Sequence, residues 1–539
     1  MRSLSLLLVA AVCAGVADSS PRPQARQGED VFVTVETGVL RGVVATSLNG
    51  SLYNRFVGIP FAAPPVGDLR FKAPQPAASW SGQRDALNYG SECPQAGGGS
   101  EDCLYINVYV PLLSDSSPLA VMTNIYGGAY TAGSSSYRAP DYFMDKGVLL
   151  VTFNYRVGSI GFLSLQNDDI PGNAGLKDQI FALQWVQRNI AAFGGDPDRV
   201  TIFGESAGGS STSHLFLSPA AKGLFRGVII ESGEANANWG LELSPREKAY
   251  RLAASLGFQT QGADDAAVAA FLRAASHQDL TRDDSRALSD FEKRRLSRLA
   301  FVPVIEPQSD SAVVTENPGD ILRGGRYNQV AVMTGVTSGD GGVVIYSSGV
   351  LWNAAYAADV RENFTALVGS QLQLATEEEQ TEAAVKVQNF YFGDAGFNVE
   401  DQQAVFDMTS DMYFIQPAEA LARTVATTSD LPVYLYYFDY DGYGATETGM
   451  GHAQEASYLF LQDGPDKDPN SNDGKVTELL TSLWTNFAKN ADPAPGGSPV
   501  TWEKFTAGTA NYLDMKLPFV TQQNLLKERM DFWKEILQQ

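Results

Sequence analysis

Short apolar runs recur through the middle of the chain, and amphipathic stretches separate them. The runs that the pattern predicts to be strands are residues 119–126, 148–155, 200–203, 227–231, 329–336 and 433–438. Most of them are apolar at successive positions, which is typical of strands buried on both faces of a parallel sheet. The pattern therefore predicts an α/β protein with a large, mostly parallel central sheet and helices on both faces.

Other segments complete this outline. Residues 178–193 repeat apolar side chains at helical spacing, so they predict an amphipathic helix. Segments 240–300 and 350–425 also have a helical pattern, and we expect them to form insertions over the functional edge of the sheet. Residues 31–35 alternate like a strand, whereas residues 56–67 are so rich in proline and glycine that they predict an ordered loop.

Composition and charge narrow the class of protein. The 539 residues are 44% hydrophobic, which allows a large core and excludes global disorder. The formal net charge of −23 argues against nucleic acid or an anionic membrane surface as a partner. Because no repeat, linker or change in composition interrupts the pattern, we expect residues 31–539 to form a single domain.

The N-terminus has the features of a secretory signal peptide over residues 1–17. Arg2 supplies the positive start, residues 6–12 form the apolar run, and small residues at 15–17 provide a cleavage site. This run is too short to cross a bilayer, and no later stretch is apolar enough to do so. Residues 18–30 are polar and proline-rich, and they predict a flexible leader. We therefore expect a secreted, extracellular protein with no integral membrane segment.

Cysteine usage agrees with that compartment. The chain has three cysteines, and Cys13 is removed with the signal peptide. Cys93 and Cys103 remain, and in an oxidising compartment they are predicted to form a disulfide. Asn49 and Asn363 each begin an Asn-X-Ser/Thr tripeptide and are candidate glycosylation sites, although such tripeptides often stay unmodified.

The strongest chemical signal is the sequence Gly-Glu-Ser-Ala-Gly at residues 204–208. It matches the G-x-S-x-G pattern directly after the apolar run 200–203. The pattern predicts a sharp strand-to-helix turn with Ser206 at its apex, where the flanking glycines remove clashing side chains. The Ser206 hydroxyl would then lie beside the first free N–H groups of the next helix, which can stabilise a developing negative charge. Ser206 is therefore the candidate nucleophile.

A serine nucleophile needs a histidine base, and the chain offers three histidines. His214 lies about 12 Å along the same predicted helix from Ser206, which is too far for proton transfer. His277 follows a helix-like run and is predicted to lie on the surface. His452 lies in a glycine-rich loop after the strand 433–438, and loops at strand ends carry the chemistry of α/β proteins. His452 is therefore the candidate base.

The orienting acid and the oxyanion donors follow from chain order. Elbow hydrolases place the acid between the serine and the histidine, in a loop after a strand. Asp340 is the only carboxylate of the loop at 336–342, so it is the candidate acid, and a turn-forming Asp-Gly is the alternative. The candidate oxyanion donors are the N–H groups of Ala207 and of Gly128 and Ala129, which follow the strand 119–126. For the segment that contains Gly128 and Ala129, the alternative is a plain turn formed by Gly127 and Gly128, with no role in catalysis.

Other chemistries find no support in the sequence. No spacing of His, Cys and carboxylates suggests a metal site, and there is no P-loop or dinucleotide fingerprint.

Further segments resemble the type-B carboxylesterase/lipase family, which includes cholinesterases and secreted fungal lipases. The segments that carry the resemblance are 58–62, 64–67, 69–71, 100–108, 154–158, 172–176, 184–187, 191–197 and 484–488. The resemblance implies an α/β-hydrolase fold, no cofactor, and hydrolysis of carboxylic esters through an acyl-enzyme. Ser206, Asp340 and His452 match its catalytic positions.

The resemblance also implies roles for residues around these three. Ser232 and Glu455 match positions that support the histidine region, and Glu205, directly before Ser206, is a further candidate for a supporting role. Trp239 is similar to a residue that lines the acyl pocket. The implied partner is a small-molecule or lipid-like ester, and the sequence leaves the oligomeric state open.

The chain departs from the family pattern in several places. Asp340 stands where the family usually has glutamate, and Ala129 stands where a third glycine is usual. Only nine residues separate Cys93 from Cys103, which is too few to form the mobile lid of the similar lipases. This loop also lacks the tryptophan that holds choline in cholinesterases, so choline esters are not expected as substrates.

These features predict a lidless serine esterase that prefers short- to medium-chain or bulky soluble esters. One alternative is an interfacial triacylglycerol lipase or sterol esterase. Another is a non-catalytic adhesion or binding module, since the family contains such members. Those members lose the serine, whereas this chain has all three triad residues.

Overall fold

The computed structural model describes residues 26–114 and 117–537 of the chain. The strands of this part are β1 (Asp30–Val35), β2 (Gly38–Thr46), β3 (Leu52–Pro60), β4 (Gln83–Asp85), β5 (Tyr105–Pro111), β6 (Leu119–Asn124), β7 (Leu149–Phe153), β8 (Gly195–Glu205), β9 (Gly227–Glu231), β10 (Ala331–Thr337), β11 (Val433–Phe438), β12 (Ala445–Thr446), β13 (Gly449–Met450), β14 (Asn511–Asp514) and β15 (Val520–Gln523). The predicted signal peptide at 1–17 lies outside the described residues, and β1 begins one residue before the predicted start of the domain.

Helices fill most of the remaining segments. They are α1 (Asp141–Asp145), α2 (Gly158–Phe162), α3 (Ala174–Asn189), α4 (Ala207–Leu217), α5 (Pro245–Ser255), α6 (Asp265–Ala274), α7 (His277–Thr281), α8 (Pro318–Arg323), α9 (Gly342–Ser348), α10 (Ala354–Glu362), α11 (Phe364–Gly369), α12 (Glu377–Phe392), α13 (Gln402–Ser410), α14 (Gln416–Thr428), α15 (Ala456–Leu459), α16 (Asn472–Asn490) and α17 (Lys527–Leu537). None of the helices in the described part of the chain has the length and apolar composition needed to cross a bilayer.

One large mixed sheet organises the molecule. Its strand order is β1-β2-β3-β5-β7-β6-β8-β9-β10-β11-β14-β15, and β4 pairs with β2. The strands from β7 to β14 run parallel, as the continuous apolar runs predicted. Antiparallel strands extend the sheet on both sides. The four central strands β8, β9, β10 and β11 therefore end at the same edge.

Both faces of the sheet are covered, because successive strand residues point to opposite sides. Val121 of β6 packs into a core that includes the helices α3 and α4, whereas Met122 packs into a second core with α1 and α16. Trp484 of α16 is fully buried in this second core. Apolar residues at neighbouring strand positions are thus buried on opposite faces, which explains why the central strands have no polar side.

The segment at 56–67 is a correction to the sequence prediction, because its first five residues belong to β3 rather than to a loop. Phe56 pairs with Val108 of β5, and the register shifts before Ile59. Gly58 lies in this bulge, and its N–H donates to the Asn107 side chain at 2.9 Å. The bulge therefore accommodates Gly58 within the strand. Pro60 is the last residue of the strand, a position where the absence of a backbone N–H is tolerated.

The insertion at 240–300 is only partly helical. Helices α5, α6 and α7 account for it as far as Thr281, and short 3₁₀ turns follow at Asp284–Ala287 and Glu292–Arg294. Ion pairs hold this later part to other elements, for example between Arg251 of α5 and Glu292 at 2.9 Å and between Arg294 and Asp359 of α10 at 2.7 Å. The prediction of helix fails here because its charged residues contact other elements instead of lining one helix.

A buried ion pair connects the loop after β7 to α3. The side chains of Arg156 and Asp178 are both fully buried, and two guanidinium nitrogens of Arg156 donate to the carboxylate at 2.7 Å. Replacing Asp178 with alanine leaves a buried charge without its partner, so we expect the free energy of unfolding to fall by about 3–5 kcal/mol. Denaturant unfolding measures this loss, and Asp168→Ala, which changes an exposed carboxylate nearby, is the matched control. A loss below about 1 kcal/mol, typical of surface pairs, would contradict the prediction.

Candidate active site

The turn between β8 and α4 has the geometry of a nucleophile elbow. β8 ends at Glu205, α4 begins at Ala207, and Ser206 between them has φ 58° and ψ −125°. A Cβ atom on Gly204 or Gly208 would lie 2.2 or 2.0 Å from the backbone oxygen of Ile125. Both positions therefore require glycine, and the elbow packs directly against the end of β6.

The sheet brings the predicted site residues to one edge. Ser206 follows β8, Ser232 follows β9 and Asp340 follows β10, while His452 lies in the loop beyond β11. These four strands are parallel neighbours, so the segments after their carboxyl ends lie side by side. The edge matches the place where open α/β sheets bind their ligands.

Asp340 and His452 are in direct contact. The Oδ1 atom of Asp340 lies 2.6 Å from Nδ1 of His452. Its other oxygen accepts hydrogen bonds from the Ser232 hydroxyl at 2.7 Å and from the Thr337 backbone N–H at 2.9 Å. The Asp340 carboxylate is thus fixed by three groups, and a proton on Nδ1 leaves Nε2 of His452 as the basic nitrogen.

Backbone contacts join the loops that carry these two residues. The Gly339 N–H donates to the Met450 carbonyl at 2.8 Å, and the Met450 N–H donates to the Ser338 hydroxyl at 2.8 Å. These bonds set the separation of the two loops. An aspartate can therefore reach the histidine at a position where the resembling family usually has the longer glutamate.

The glycine turn after β6 lies against the elbow. A Cβ atom on Gly127 would lie 3.0 Å from Cβ of Ser206. Gly128 has φ 116° and a Cβ there would lie 2.2 Å from the Ala132 carbonyl oxygen, so this position also requires glycine. Ala129 follows with φ 57°. The turn and the first N–H of α4, that of Ala207, thus lie on either side of Ser206.

Glu205 holds the glycine turn to the elbow. Its Oε1 atom accepts the Gly127 N–H at 3.0 Å and forms an ion pair with Arg138. The Arg138 guanidinium also lies over the Phe460 ring, 5.1 Å from its centre. Because the Gly127 N–H is taken by Glu205, the N–H groups available to a ligand at this turn are those after it.

Two more buried carboxylates lie under the site. Glu455 accepts the Tyr436 hydroxyl at 3.0 Å, and Glu231 accepts the Trp484 indole N–H at 2.5 Å. Burial and the charge of Glu455 raise the pKa of Glu231 well above its ordinary value, and burial together with Asp340 raises the pKa of Glu455. The sequence reasoning missed Glu231, although a glutamate that ends an otherwise apolar strand was a visible signal.

An aromatic wall borders the histidine. The Phe414 ring lies 4.8 Å from the His452 ring and 5.9 Å from the Trp239 ring. Trp239 is 8% exposed, and its indole N–H donates to the Tyr413 carbonyl at 2.9 Å. Trp239 therefore lies one aromatic ring away from His452, and Phe414, which the sequence did not single out, makes the closer contact.

The other two histidines lie away from this edge. His214 is buried on α4 and its Nε2 lies 2.9 Å from the Gly240 carbonyl oxygen. Burial lowers the pKa of His214 to about 4. His277 begins α7 and is half-buried rather than fully on the surface.

The predicted disulfide is confirmed. Cys93 and Cys103 are bonded, with their Cα atoms 4.9 Å apart. Within the loop that they close, the Gln95 side chain donates to the Gly133 carbonyl at 3.1 Å and accepts the Gly133 N–H at 3.0 Å. The loop is therefore attached to the segment that follows the glycine turn.

Comparisons with known proteins show which family the chain belongs to. The model of the family described as "Carboxylesterase family" matches residues 29–533. Juvenile hormone esterase from Tribolium castaneum is 32% identical over 93% of each chain, and bile salt-activated lipase from Homo sapiens is 33% identical over 90% of this chain and 66% of its own. The solved structure of juvenile hormone esterase from Manduca sexta, with OTFP covalently attached, has a TM-score of 0.83 and 28% identity, over 95% of this chain and 100% of that one.

The family model covers almost the whole described chain, and the structural neighbour shares its sheet and helices. The resemblance inferred from the sequence and the expected α/β-hydrolase fold are both confirmed. The chain belongs to the carboxylesterase family and is an enzyme that hydrolyses carboxylic esters.

Proposed function

We propose that this carboxylesterase is a secreted serine hydrolase in which Ser206, His452 and Asp340 form the catalytic triad. The observation that carries the proposal is the 2.6 Å contact between Asp340 and His452 at the sheet edge where the Ser206 elbow also lies. The three residues have the chain order and the neighbouring strand ends that elbow hydrolases require.

Acylation begins when Nε2 of His452 removes the proton of the Ser206 hydroxyl. The oxygen attacks the ester carbonyl carbon, and the carbonyl electron pair moves onto the carbonyl oxygen. The N–H groups of Gly128, Ala129 and Ala207 stabilise this oxyanion. Protonated His452 then gives its proton to the leaving alcohol oxygen, and the acyl-enzyme remains on Ser206.

Deacylation repeats these steps with water as the nucleophile. His452 removes a proton from water, the hydroxide oxygen attacks the acyl carbon, and the proton returns to Ser206 as the acid leaves. Asp340 keeps the imidazole in the required tautomer in both halves and stabilises its protonated form. Glu205 holds the glycine turn, while Ser232 and Glu455 act on Asp340 and His452, respectively.

The substrate preference that we propose rests on the loop closed by Cys93 and Cys103. The loop is short, and Gln95 attaches it to Gly133 through two hydrogen bonds. Such a loop has neither the length nor the freedom to cover the site. We therefore propose that the enzyme works without a lid on short- to medium-chain or bulky soluble esters.

One observation favours interfacial lipase activity as a second candidate. Helix α9 begins two residues after Asp340, and its residue Tyr346 is 46% exposed to solvent. Trp352 beyond it is 69% exposed, and the two rings stack with their centres 5.7 Å apart. Exposed aromatic side chains beside a site suit contact with a lipid surface, and a relative is named as a lipase.

A rate series across substrates separates the two candidates. We would measure kcat/KM for esters from acetate to palmitate, below and above the solubility limit of each ester, with Ser206→Ala alongside. Saturation below the solubility limit with the highest rates for short or medium chains supports the lidless esterase. A sharp increase once the ester forms an interface supports the lipase and overturns the preference proposed above.

The activity should depend on the protonation of His452. Burial acts to lower the pKa of His452, but the hydrogen bond and charge of Asp340, together with Glu455, outweigh it and raise the pKa above 6.5. Because protonated His452 cannot accept the Ser206 proton, kcat/KM should fall as the pH decreases, with a midpoint above about 6.5. A profile with no ionisation between about pH 5 and 8 would exclude this role.

If the enzyme is secreted, the structure predicts that one of the two candidate glycosylation sites carries a glycan. The amides of both asparagines donate to an aspartate, Asn49 to Asp145 at 2.7 Å and Asn363 to Asp359 at 3.0 Å, but Asn49 is exposed on the turn between β2 and β3, whereas Asn363 is half-buried. We expect a glycan on Asn49 only. Intact mass of protein secreted from eukaryotic cells should fall by one glycan in Asn49→Gln and stay the same in Asn363→Gln, apart from the substitution. A glycan lost in Asn363→Gln would refute this expectation.

A further inference from the structure

A cavity lies behind the aromatic wall of the active site and shares Trp239 and Tyr413 with it. This cavity, the arginine cavity, is lined by residues that include Asn238, Trp239, Arg295 and Arg298, and its volume is about 390 Å³. That volume lies in the range of small-molecule sites. Leu243 and Phe291 also line it and are 60% and 39% exposed, so the cavity opens to solvent.

Most of the charges around the arginine cavity neutralise one another. Lys248 forms an ion pair with Glu242, and Arg251 forms one with Glu292 at 2.9 Å. Glu247, a further lining carboxylate, is exposed to solvent. The remaining charges inside the cavity are therefore those of its two other arginines.

Arg295 and Arg298 have no carboxylate partner among the described residues. The Nε atom of Arg295 donates to the Ser370 hydroxyl at 3.1 Å, and that of Arg298 donates to the Arg295 carbonyl at 3.0 Å. Their guanidinium groups lie over the rings of Phe291 and Tyr356, at 5.4 and 4.6 Å from the centres. Two oriented and half-buried arginines without counter-ions are unexpected in a chain of net charge −23.

Asn238 adds an unsatisfied polar group to the same cavity. Both its side-chain nitrogen and its side-chain oxygen are buried, and neither has a hydrogen-bond partner in the part of the chain that the structure describes. The Gln373 side chain holds the Asn238 backbone by donating to its carbonyl at 2.8 Å. A buried amide without partners is a position where a ligand can supply the missing hydrogen bonds.

Apolar side chains form one part of the lining, namely Trp239, Leu241, Leu288 and Val302, and polar side chains such as Ser289, Ser297 and Gln371 form another. The cavity thus combines an apolar wall with unpaired guanidinium groups, whose geometry fits a carboxylate. We propose that the arginine cavity binds a carboxylate that carries an apolar chain, at a site separate from the catalytic triad.

The position of the cavity connects this ligand to catalysis. Trp239 and Tyr413 line it, and Phe414, the next residue, contacts His452 on the other side. An acid with an apolar chain is also the class of product that ester hydrolysis releases. The bound acid is either the product of the reaction, an assignment that rests on the proposed function, or an acid that comes from outside the enzyme. In both cases it is a carboxylate with an apolar chain.

Binding of decanoate tests the site directly. We would titrate decanoate calorimetrically into enzyme whose nucleophile is blocked by an alkylphosphonate, so that the catalytic pocket is occupied. The test variant is Arg295→Gln/Arg298→Gln. Lys293→Gln/Arg294→Gln removes the same charge from the same segment, at residues paired with Asp290 and Asp359, and is the matched control.

The expected result is one decanoate site in the blocked wild-type enzyme and in the control. The test variant should bind at least about tenfold more weakly, because both guanidinium partners are lost. Decyltrimethylammonium, which carries the opposite charge on the same chain, should not bind. Loss of the site on blocking, or equal affinity in all three proteins, would overturn the proposal.

Progress curves assign the source of the acid. Inhibition that develops as a decanoyl ester is hydrolysed, and that is absent from the test variant, identifies the ligand as the product. Binding of decanoate without such inhibition supports the site and assigns the acid to an outside source. Failure of the phosphonate to label Ser206, read by intact mass, would count against the proposed triad and not against the cavity.

Discussion

Ser206→Ala should lower kcat for soluble esters by about 10⁶-fold, since loss of the nucleophile in a comparable triad has an effect of that size. The substitution removes the only atom that can form the acyl-enzyme, while the oxyanion donors and the ester-binding surface stay in place. Alanine keeps the Cβ atom, and the backbone of Ser206 remains fixed by its N–H, which donates to the Glu231 carbonyl at 2.8 Å. The midpoint of thermal unfolding should therefore stay close to that of the wild type.

Ser210→Ala is the matched control for this prediction. Ser210 lies one turn further on α4, is buried, and its hydroxyl has no hydrogen-bond partner among the described residues. We expect its kcat to stay within about threefold of the wild type, because a buried hydroxyl without a partner contributes little. If Ser206→Ala kept a tenth of the activity, another group would have to be the nucleophile.

Asp340→Asn should lower kcat/KM by about 10⁴-fold, the size of effect seen when a triad aspartate becomes an amide. Oδ2 of Asp340 accepts two hydrogen bonds, so the amide NH₂ of the asparagine would face His452. That NH₂ would donate to Nδ1 and force the proton onto Nε2. The nitrogen that must accept the Ser206 proton would then be occupied.

Asp340→Glu tests whether the loops are set for the shorter side chain. Asp340 is fully buried between Ser232, Thr337 and His452, so an added methylene must displace the carboxylate or the imidazole. We expect a loss of about 10²-fold, typical of a misplacement of about 1 Å. If Asp340→Asn retained full activity, Glu455 would be the next candidate for the orienting acid.

Local pattern was sufficient to predict the centre of the fold. The strands β8, β9, β10 and β11 are apolar because both of their faces are buried. Burial favours an apolar residue at every position of such a strand, whichever elements it packs against, so the sequence of the strand alone reveals it. The second half of β3, from Phe56 to Pro60, was predicted as a loop because it contains Gly58 and Pro60. In the structure a bulge accommodates them, and the Gly58 N–H donates to the Asn107 side chain. Such compensation depends on a partner strand that the local sequence does not reveal.

The candidate active site could also be predicted only in part, because some of its contacts join distant segments of the chain. The scarcity of histidines and the order of the chain were enough to single out His452 and Asp340, which the structure places in contact. Arg138, Glu231 and Phe414 were missed because their importance arises only from contacts across the fold. Arg138 meets Glu205 and Phe414 meets His452 although long segments separate each pair in the sequence.

The strand order also has a consequence for how the protein is made. The contact between Asp340 and His452 spans 112 residues, and that between Glu231 and Trp484 spans 253. At the usual speed of translation, roughly 6–20 s pass between synthesis of residue 340 and of residue 452. During that interval the apolar β10 has emerged without β11, which covers its outer edge in the finished sheet. Until β11 is synthesised, the nascent chain therefore carries an unpaired strand edge, a feature that promotes aggregation.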